Sequence, residues 1–523
     1  MCIRDSNAFT WAPSGKRLLV LAPPDTPGRK REEIKGRNDA KEVDVDEPCA
    51  RMWLVPVGGG NPRPIGPRTG HVVSASWSPD GKSVAYLHGE HVTLDVLWRR
   101  MTLNVLDLHS GRSRVLRHLT TPSVVPPRFS PDGEKLLFGD SRRPGRMFPL
   151  NLYVIGVGGG RAIRIDRTTD RTVGSADWLD NGTVVYTQQH QTSMKLRSAP
   201  VTGKPGKTLV HGPGSVSCFA VARTARRLFY AYSENAKPGQ VYSLDLEAGD
   251  PPRQLTDLNR HYNRIRLSAG ELIQWKAPDG LTIEGWLYRP TTRTRPPYAT
   301  IVIPHGGPQG VIGNDFARSV EVQPYCAAGY AIFLPNFRGS TGYGEAFMRH
   351  ILNNWGPGPA DDILAGIRAL VRRKIADPNR LLLRGGSFGG YMTSWLVGHT
   401  DLFRAAVAHA PVVNNISMWG TTDIPCFQEW NLNGTPLTQY RRYWQLSPVA
   451  HLKRCTTPTL VITGDQDERV PPNQSYELYR TLKAVGVPTG LVLYPREPHG
   501  IGEPKHRLDA VSYTHLRAHE TSL

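Results

Sequence analysis

Residues 380–392 read RLLLRGGSFGGYM, an apolar run followed by one serine between two pairs of glycines. The run predicts a buried β-strand, and the residues from Phe388 to about Gly398 predict a helix. Residues 385–389 (GGSFG) fit the pattern Gly-x-Ser-x-Gly at that junction. So tight a turn needs glycine at its flanking positions and leaves the serine hydroxyl exposed above the sheet. We therefore interpret Ser387 as a candidate nucleophile.

The alternative for this turn is a glycine-rich loop that grips a phosphate at a helix N-terminus. Such a loop is typically followed by Gly-Lys-Ser/Thr, or by an acidic residue after the second strand. This sequence has neither feature. The pattern therefore favours the nucleophile.

Short apolar runs alternate with helical stretches throughout the C-terminal half. From residue 271 onward, the predicted strands are 299–304, 330–335, 380–385, 404–410, 458–464 and 490–495, and the predicted helices are 361–374, 388–398 and 473–485. Continuous apolar strands separated by helices indicate a parallel sheet that is buried on both faces. We expect this domain to span residues 263–510.

A serine hydroxyl needs a base, and the base needs a carboxylate that orients it. In α/β-hydrolases the three follow in the order Ser, Asp, His, each on a loop after a strand. The strand at 458–464 is followed by DQDERVPP, which offers Asp465, Asp467 and Glu468, and the strand at 490–495 is followed by REPHG, which offers His499. The spacing leaves Asp465 and Asp467 as rivals for the acid.

An oxyanion hole would combine the backbone N–H of Phe388 with one from a loop after an earlier strand. IPHGGPQG (303–310) is a loop of this HGG type, and its two glycines let the backbone come close. We interpret His305 in this loop as structural rather than as a base.

The N-terminal half consists of a recurring phrase. TWAPSGKRLLVLA (10–22), SWSPDGKSVAYLH (76–88), RFSPDGEKLLFGD (128–140) and DWLDNGTVVYTQQ (177–189) are followed by a degenerate copy at 220–232. Each copy joins a Pro-Asp-Gly type of turn to an alternating strand, and Gly-rich hairpins lie between the copies. This spacing predicts the blades of a β-propeller, similar to TolB-type blades, over residues 1–262. About five blades are recognisable, which we interpret as an incomplete set.

The composition excludes several classes of protein. The 39% hydrophobic and 21% charged residues are typical of a folded globular protein, and no apolar run is long enough to cross a membrane. The formal charge of +19 is spread along the chain, so we expect no nucleic-acid partner. Six scattered cysteines without a CxxC pair indicate neither a disulfide framework nor a zinc site. We expect a cytoplasmic location.

Both ends of the chain look foreign to it. MCIRDS (1–6) is not followed by the apolar region of a signal peptide, and VSYTHLRAHETSL (511–523) is similarly unlike the rest. Both resemble translated adaptor sequence, and an ordinary polar tail is the alternative. We therefore expect residues 511–523 to be a non-native tail.

The motifs together resemble the prolyl oligopeptidase family of serine peptidases, and within it the acylaminoacyl-peptidase and dipeptidyl-peptidase-like bacterial members. APDGLTIEGWLY (277–288), HGGPQG, NFRGSTGYGEAF (336–347), GGSFGGYM, MWGTTDI (418–424) and GDQDERVP (464–471) stand in the order of that family. The resemblance implies a propeller followed by an α/β-hydrolase domain. It also favours Asp467 over Asp465 as the acid, beside Ser387 as nucleophile and His499 as base.

The resemblance further implies roles for residues around the triad. Gly307 and Phe388 would donate the oxyanion N–H groups, and Arg469 would contact a substrate carbonyl, with a surface ion pair as its alternative. Val412, Val470 and Phe388 would line the first specificity pocket, although all three could equally be core.

Two departures from the family pattern stand out. NNWGPGPADDI (353–363) carries a Pro-Gly-rich insert, and residues 511–523 replace the final amphipathic helix that packs beside the histidine loop in the family. We therefore expect a complete triad whose support is missing.

The function implied is hydrolysis of short peptides through an acyl-enzyme, with no cofactor and no metal. We expect peptide substrates and no membrane partner, and the chain could form a homo-oligomer. The alternatives are a carboxylesterase, or an inactive propeller-hydrolase that acts as a binding protein.

Overall fold

The computed structural model describes residues 8–24, 36, 40, 42–43, 47–121, 125–145, 148–165, 167 and 170–512. Of the segments 1–6 and 511–523, which the sequence marks as foreign, residues 1–6 and 513–523 lie outside the described residues. Within the described part of the chain, no helix is both long and apolar enough to cross a membrane.

The N-terminal half forms five four-stranded antiparallel sheets within the described residues, and these are the blades of a propeller. Their strands are β1–β4 (Ala8–Trp11, Arg17–Ala22, Arg51–Pro56, Arg63–Ile65), β5–β8 (His71–Trp77, Ser83–Gly89, Met101–Asp107, Ser113–Leu119), β9–β12 (Arg128–Phe129, Lys135–Asp140, Asn151–Gly156, Gly159–Arg164), β13–β16 (Val173–Asp180, Thr183–His190, Ser193–Pro200, Lys207–Thr208) and β17–β20 (Ser215–Ala222, Arg227–Glu234, Lys237–Asp245, Arg253–Gln254). The predicted propeller is therefore confirmed.

Each copy of the recurring phrase builds the hairpin between the first two strands of a blade. In the second copy, Ser78 Oγ donates to Asp80 Oδ1 at 2.6 Å, and the same oxygen accepts the Lys82 N–H at 3.0 Å. Gly81 has φ +70°, a conformation that a side chain disfavours. The third copy repeats the serine–aspartate bond, from Ser130 to Asp132. The turn residues therefore fix where each hairpin reverses.

The propeller is stabilised between blades rather than within them. Four separate apolar clusters each join two consecutive blades. In the cluster between the third and fourth blades, Trp178 is fully buried and its indole N–H donates to the Arg128 carbonyl at 2.9 Å. Each blade therefore buries apolar side chains against its neighbours, and every interface between adjacent blades contributes to the stability of the propeller.

The C-terminal half contains an eight-stranded sheet in the order β21-β22-β24-β23-β25-β26-β27-β28. β22 is antiparallel to both of its neighbours, β21 and β24, and the neighbouring strands from β24 to β28 in this order pair in parallel. The strands β21–β28 are Glu271–Lys276, Thr282–Tyr288, Tyr298–Val302, Ala331–Asn336, Ala376–Gly386, Phe403–His409, Thr459–Gly464 and Thr489–Tyr494. The predicted boundary at 262/263 falls in a short 3₁₀-helix, Arg260–Arg264.

Helix α1 (Leu94–Arg99) lies in the propeller half, and ten described helices accompany the large sheet. These are α2–α11: Phe316–Val320, Gln323–Ala327, Glu345–Arg349, Pro357–Arg372, Phe388–His399, Asn415–Thr421, Pro425–Leu432, Pro436–Gln445, Pro472–Ala484 and Pro504–Ser512. This is the α/β-hydrolase arrangement that the sequence predicts.

Helix α5 begins at Pro357, four residues before the predicted start, because the Pro-Gly-rich stretch forms its first turn. Proline suits this position, since the first N–H of a helix has no partner inside it. A Cβ atom on Gly356 would lie 2.4 Å from the Trp395 ring, so only glycine lets the helix start this close to α6.

A buried ion pair joins α5 to the loop after β24. Arg338 donates to Asp362 from Nε at 2.9 Å and from Nη2 at 2.6 Å, and the side chains are 7% and 0% exposed. The backbone N–H of Arg338 also donates to Asp362, at 2.8 Å. This carboxylate therefore fixes the start of the NFRGS loop.

Removing Asp362 should destabilise the hydrolase domain strongly, because the buried Arg338 guanidinium would lose its buried partner and keep the half-exposed Asp279. We expect Asp362→Ala to lower the free energy of unfolding by about 3–5 kcal/mol. The exposed pair Arg318–Glu321 supplies the control, and Glu321→Ala should cost less than about 1 kcal/mol. Urea unfolding followed by tryptophan fluorescence measures both, and equal losses would contradict the expectation.

Candidate active site

Ser387 occupies the turn between β25 and α6 in a strained backbone conformation. Its φ is +58° and its ψ is −124°, a region that residues with side chains rarely adopt. The Ser387 N–H donates to the His409 carbonyl at 2.9 Å, and the Tyr391 N–H donates to the Ser387 carbonyl at 2.9 Å. These bonds hold the turn between the neighbouring strand and the new helix.

The glycines around Ser387 permit close backbone contacts. A Cβ on Gly385 would lie 2.1 Å from the Gly389 carbonyl oxygen, and a Cβ on Gly389 would lie 2.2 Å from the Pro304 carbonyl oxygen. The turn therefore packs directly against the HGG loop at 303–310. A Cβ on Gly306 in that loop would lie 3.3 Å from Ser387 Cβ.

Asp467 and His499 are in contact. His499 Nδ1 lies 2.8 Å from Asp467 Oδ2, and Asp467 Oδ1 accepts the backbone N–H groups of Arg469 at 3.0 Å and Val470 at 2.9 Å. The Asp467 side chain is fully buried, whereas that of His499 is 32% exposed. A carboxylate accepts hydrogen bonds, so His499 Nδ1 is the donor in this contact. Nε2 is then the ring nitrogen that can accept a proton.

The two other acidic residues on this loop have different neighbours. Asp465 Oδ1 accepts the Arg496 N–H at 2.6 Å, and Glu468 is exposed. Of the three acidic candidates, all within the described chain, Asp467 alone contacts His499.

Ser387 and His499 are not joined by a hydrogen bond among the described residues. Both do lie near His409, at the end of the strand between them. A Cβ on Gly386 would lie 3.3 Å from His409 Nδ1. Burial, followed by the charge of His499, lowers the pKa of His409 to about 4. His409 therefore stays neutral beside the two predicted catalytic residues.

The predicted oxyanion groups lie on the two segments that meet at the turn. Phe388 is the first residue of α6, so its N–H has no acceptor within the helix. Gly307 is exposed, has φ +130°, and follows Gly306, which adjoins Ser387. Their part in oxyanion binding stays a prediction.

His305 is enclosed in the fold. Its Nε2 lies 2.9 Å from Ser340 Oγ, and its ring stacks on Phe337 at 4.2 Å. Burial lowers the pKa of His305 to about 4, so the imidazole is neutral at ordinary pH. These contacts are those of a structural residue.

The three predicted pocket residues belong to one apolar cluster. Phe388, Val412 and Val470 are 2%, 5% and 2% exposed, and all three lie in the main core of the large sheet. Partly buried side chains pack against the same core, among them Ile416 and Trp419. The role of the three in substrate binding stays a prediction.

Arg469 forms a two-bond ion pair with Asp423. The guanidinium donates to the two carboxylate oxygens at 2.7 Å and 3.1 Å, and the side chains are 31% and 26% exposed. Sequence reasoning did not identify this partner, although Asp423 stands in the quoted motif MWGTTDI. Because part of the guanidinium is exposed, it can still donate to a further acceptor.

The propeller contacts the helix that follows Asp423. Arg99 Nη2 lies 2.7 Å from Glu429 Oε2, and Asp95 Oδ1 accepts the Cys426 N–H at 2.8 Å. Trp98 stacks on Trp430 with a centroid distance of 6.3 Å. Helix α1 of the propeller therefore lies against α8, beside the predicted site.

Comparison with known proteins gives one family match. The model described as "Prolyl oligopeptidase family" matches residues 316–516. An uncharacterized peptidase of Bacillus subtilis, YuxL, is 33% identical over 57% of this chain and 46% of its own length. Dipeptidyl-peptidase 5 of Porphyromonas gingivalis is 25% identical over 85% of this chain and 66% of its own length. The chain thus spans about half to two thirds of the length of these two relatives.

Solved structures agree on the fold. An acylaminoacyl peptidase of Pyrococcus horikoshii superposes with a TM-score of 0.73 and 21% identity, over 98% of this chain and 87% of that one. A puromycin-hydrolyzing peptidase of Mycobacterium tuberculosis gives a TM-score of 0.68 and 20% identity, over 95% and 83%. The strand–turn–helix around Ser387, the Asp467–His499 contact and the family match agree, and residues 316–516 are similar to the prolyl oligopeptidase family.

Proposed function

We propose that this protein is a serine peptidase that hydrolyses short peptides, with Ser387 as nucleophile, His499 as base and Asp467 as the acid that orients it. The observation that carries the proposal is the Asp467–His499 bond of 2.8 Å, on the two loops that follow Ser387 in the order typical of α/β-hydrolases. The names of the relatives favour an acylaminoacyl- or dipeptidyl-peptidase type of substrate.

In the proposed reaction, Ser387 Oγ attacks the scissile carbonyl carbon while His499 Nε2 takes the hydroxyl proton. The resulting oxyanion is bound by the N–H groups of Phe388 and Gly307, and the N-terminal end of α6 favours its negative charge. His499 then gives the proton to the leaving amine, which departs. Water attacks the acyl-enzyme with His499 again as base, and the acid product and free Ser387 result.

Buried Asp467 orients and stabilises the imidazolium that forms in both steps. Its second oxygen is already satisfied by two backbone N–H groups, so the carboxylate has one fixed position. The neutral state of His409 adds no positive charge beside that imidazolium. The propeller, which contacts α8, would limit the size of peptide that enters.

Reaction with a fluorophosphonate tests the nucleophile directly. We expect the protein to be labelled at Ser387 and the Ser387→Ala variant to remain unlabelled, because the probe needs an activated hydroxyl. Ser394→Ala is the matched control, since Ser394 lies on the same helix with its hydroxyl bonded to the Gly390 carbonyl. Labelling of Ser387→Ala at the wild-type rate would refute the assignment, and turnover of esters without peptides would favour a carboxylesterase.

Substitutions at two neighbouring aspartates distinguish the proposed acid, Asp467, from its rival, Asp465. Asp467→Asn should lower kcat by about 10³- to 10⁴-fold, because the amide no longer holds the imidazole in the required tautomer. Asp465→Asn keeps the oxygen that accepts the Arg496 N–H, so we expect a loss below about tenfold. Steady-state kinetics on one peptide substrate measures both variants. The reverse order of effects would make Asp465 the acid.

Arg469 should contribute to substrate binding and not to the chemistry at Ser387. Loss of one charge-assisted hydrogen bond costs about 1.5–3 kcal/mol, so Arg469→Met should raise KM for a peptide by at least about tenfold. Labelling by a small fluorophosphonate, which has no peptide backbone, should change less than twofold. The exposed Arg480 on α10 provides the control variant Arg480→Met. An unchanged KM would leave Arg469 as a surface ion pair only.

A further inference from the structure

The loop that carries His499 contains a buried acidic residue of its own. It connects β28 to α11 across residues 495–503 and has no regular secondary structure. Glu497, two residues before His499, is only 2% exposed. Charged residues are rarely this buried without dedicated partners.

The Glu497 carboxylate binds three donors that follow it in the chain. Oε2 accepts the Gly502 N–H at 2.7 Å, and Oε1 accepts the Glu503 N–H at 2.9 Å and lies 2.8 Å from His506 Nδ1. The Glu497 side chain therefore binds the far end of the loop that carries His499, and it does so through both of its carboxylate oxygens. The two backbone N–H groups donate, so each carboxylate oxygen acts as an acceptor.

The backbone of Glu497 also joins the loop to the one that carries Asp467. Its carbonyl accepts the Gln466 N–H at 3.0 Å, one residue before Asp467. A Cβ on Gly464 would lie 2.1 Å from that same carbonyl, so the two loops pack in direct backbone contact. Glu497 is thus bonded to both sides of the Asp467–His499 pair.

Through His506, Glu497 also anchors the last described helix. His506 lies on α11, its ring is 5.4 Å from that of Tyr494, and Tyr494 Oη donates to Asp509 at 3.0 Å. The residues Glu497, Glu503 and His506 stand close enough to share a metal ion. However, His506 Nδ1 already bonds to Glu497, whose oxygens also accept the Gly502 and Glu503 N–H groups.

We propose that Glu497 is a positioning residue that holds the His499 loop in the geometry required for proton transfer from Ser387. This inference rests on the proposed function. In the family pattern a final helix supports the histidine loop, whereas here a carboxylate within the loop would supply that support. Catalysis by His499 then depends on contacts made between residues 497 and 506.

The variant Glu497→Gln tests the proposal with almost no change in volume. An amide has one acceptor oxygen, and its NH₂ group would face a backbone N–H, so at least one loop contact is lost. A misplacement of about 1 Å lowers catalysis by up to about 100-fold. We expect kcat for a peptide substrate to fall by about 10- to 100-fold with KM within twofold, and the amides of Gly502 and Glu503 to exchange hydrogen faster.

Glu284→Gln is the matched control, since Glu284 is a buried glutamate (5% exposed) on β22. It should change kcat less than twofold, whatever its effect on Tm. A kcat of Glu497→Gln within twofold of wild type, or equal losses in the two variants, would overturn the positioning role.

The failure of the proposed function is distinguishable from the failure of this inference. If the unaltered protein hydrolyses no peptide and is not labelled by a fluorophosphonate, the proposed function fails. Hydrogen exchange of the backbone amides then tests, without any activity measurement, whether Glu497 holds the loop. Unchanged protection of Gly502 and Glu503 in Glu497→Gln overturns the role of Glu497, and faster exchange supports it.

Discussion

The site depends first on a steric constraint, the close backbone packing around Ser387. The chain turns from β25 into α6 at φ +58°, with Gly385 nearly touching Gly389 and Gly389 nearly touching Pro304. Side chains at these glycines would force the helix away from the HGG loop. The strain at Ser387 persists because the sheet on one side and the helix on the other leave the backbone no alternative. The same packing brings the HGG loop beside the serine, where the proposed reaction places the oxyanion.

A second constraint is the bonding between the two loops after β27 and β28. These parallel strands are in register up to Gly464 and Tyr494, and the Asp465 N–H then donates to the Tyr494 carbonyl at 3.0 Å. Asp465, Asp467 and Glu497 therefore have separate tasks within a few residues. Asp465 accepts a backbone N–H, and Asp467 pairs with His499. Glu497 accepts the N–H groups at the end of the histidine loop. A carboxylate can do each of these because it accepts two or more hydrogen bonds in fixed directions.

The propeller follows a simpler logic, in which one local turn is repeated and each blade buries its faces against the next. In the first three blades a Pro-Asp-Gly type of turn marks the first hairpin and a Gly-rich turn marks the last, whereas the fifth blade has a degenerate copy at its first hairpin. In the fourth blade, only the first hairpin carries a recognisable phrase. Its outer strands, Ser193–Pro200 and Lys207–Thr208, become evident from the sheet pairing.

The sequence by itself determined the two kinds of domain and the strand–turn–helix at Ser387, because turn chemistry and apolar periodicity are local properties. It also placed Asp467 and His499 after consecutive strands, although spacing alone left Asp465 as a rival. Only the tertiary structure decided which carboxylate contacts His499, since Asp465 and Asp467 differ by the direction in which a single turn points them. The Arg469–Asp423 pair, the contact of Arg99 with Glu429 and the buried position of Glu497 likewise needed the fold. Each of these depends on how loops distant in sequence, or side chains on a loop without periodicity, meet in space.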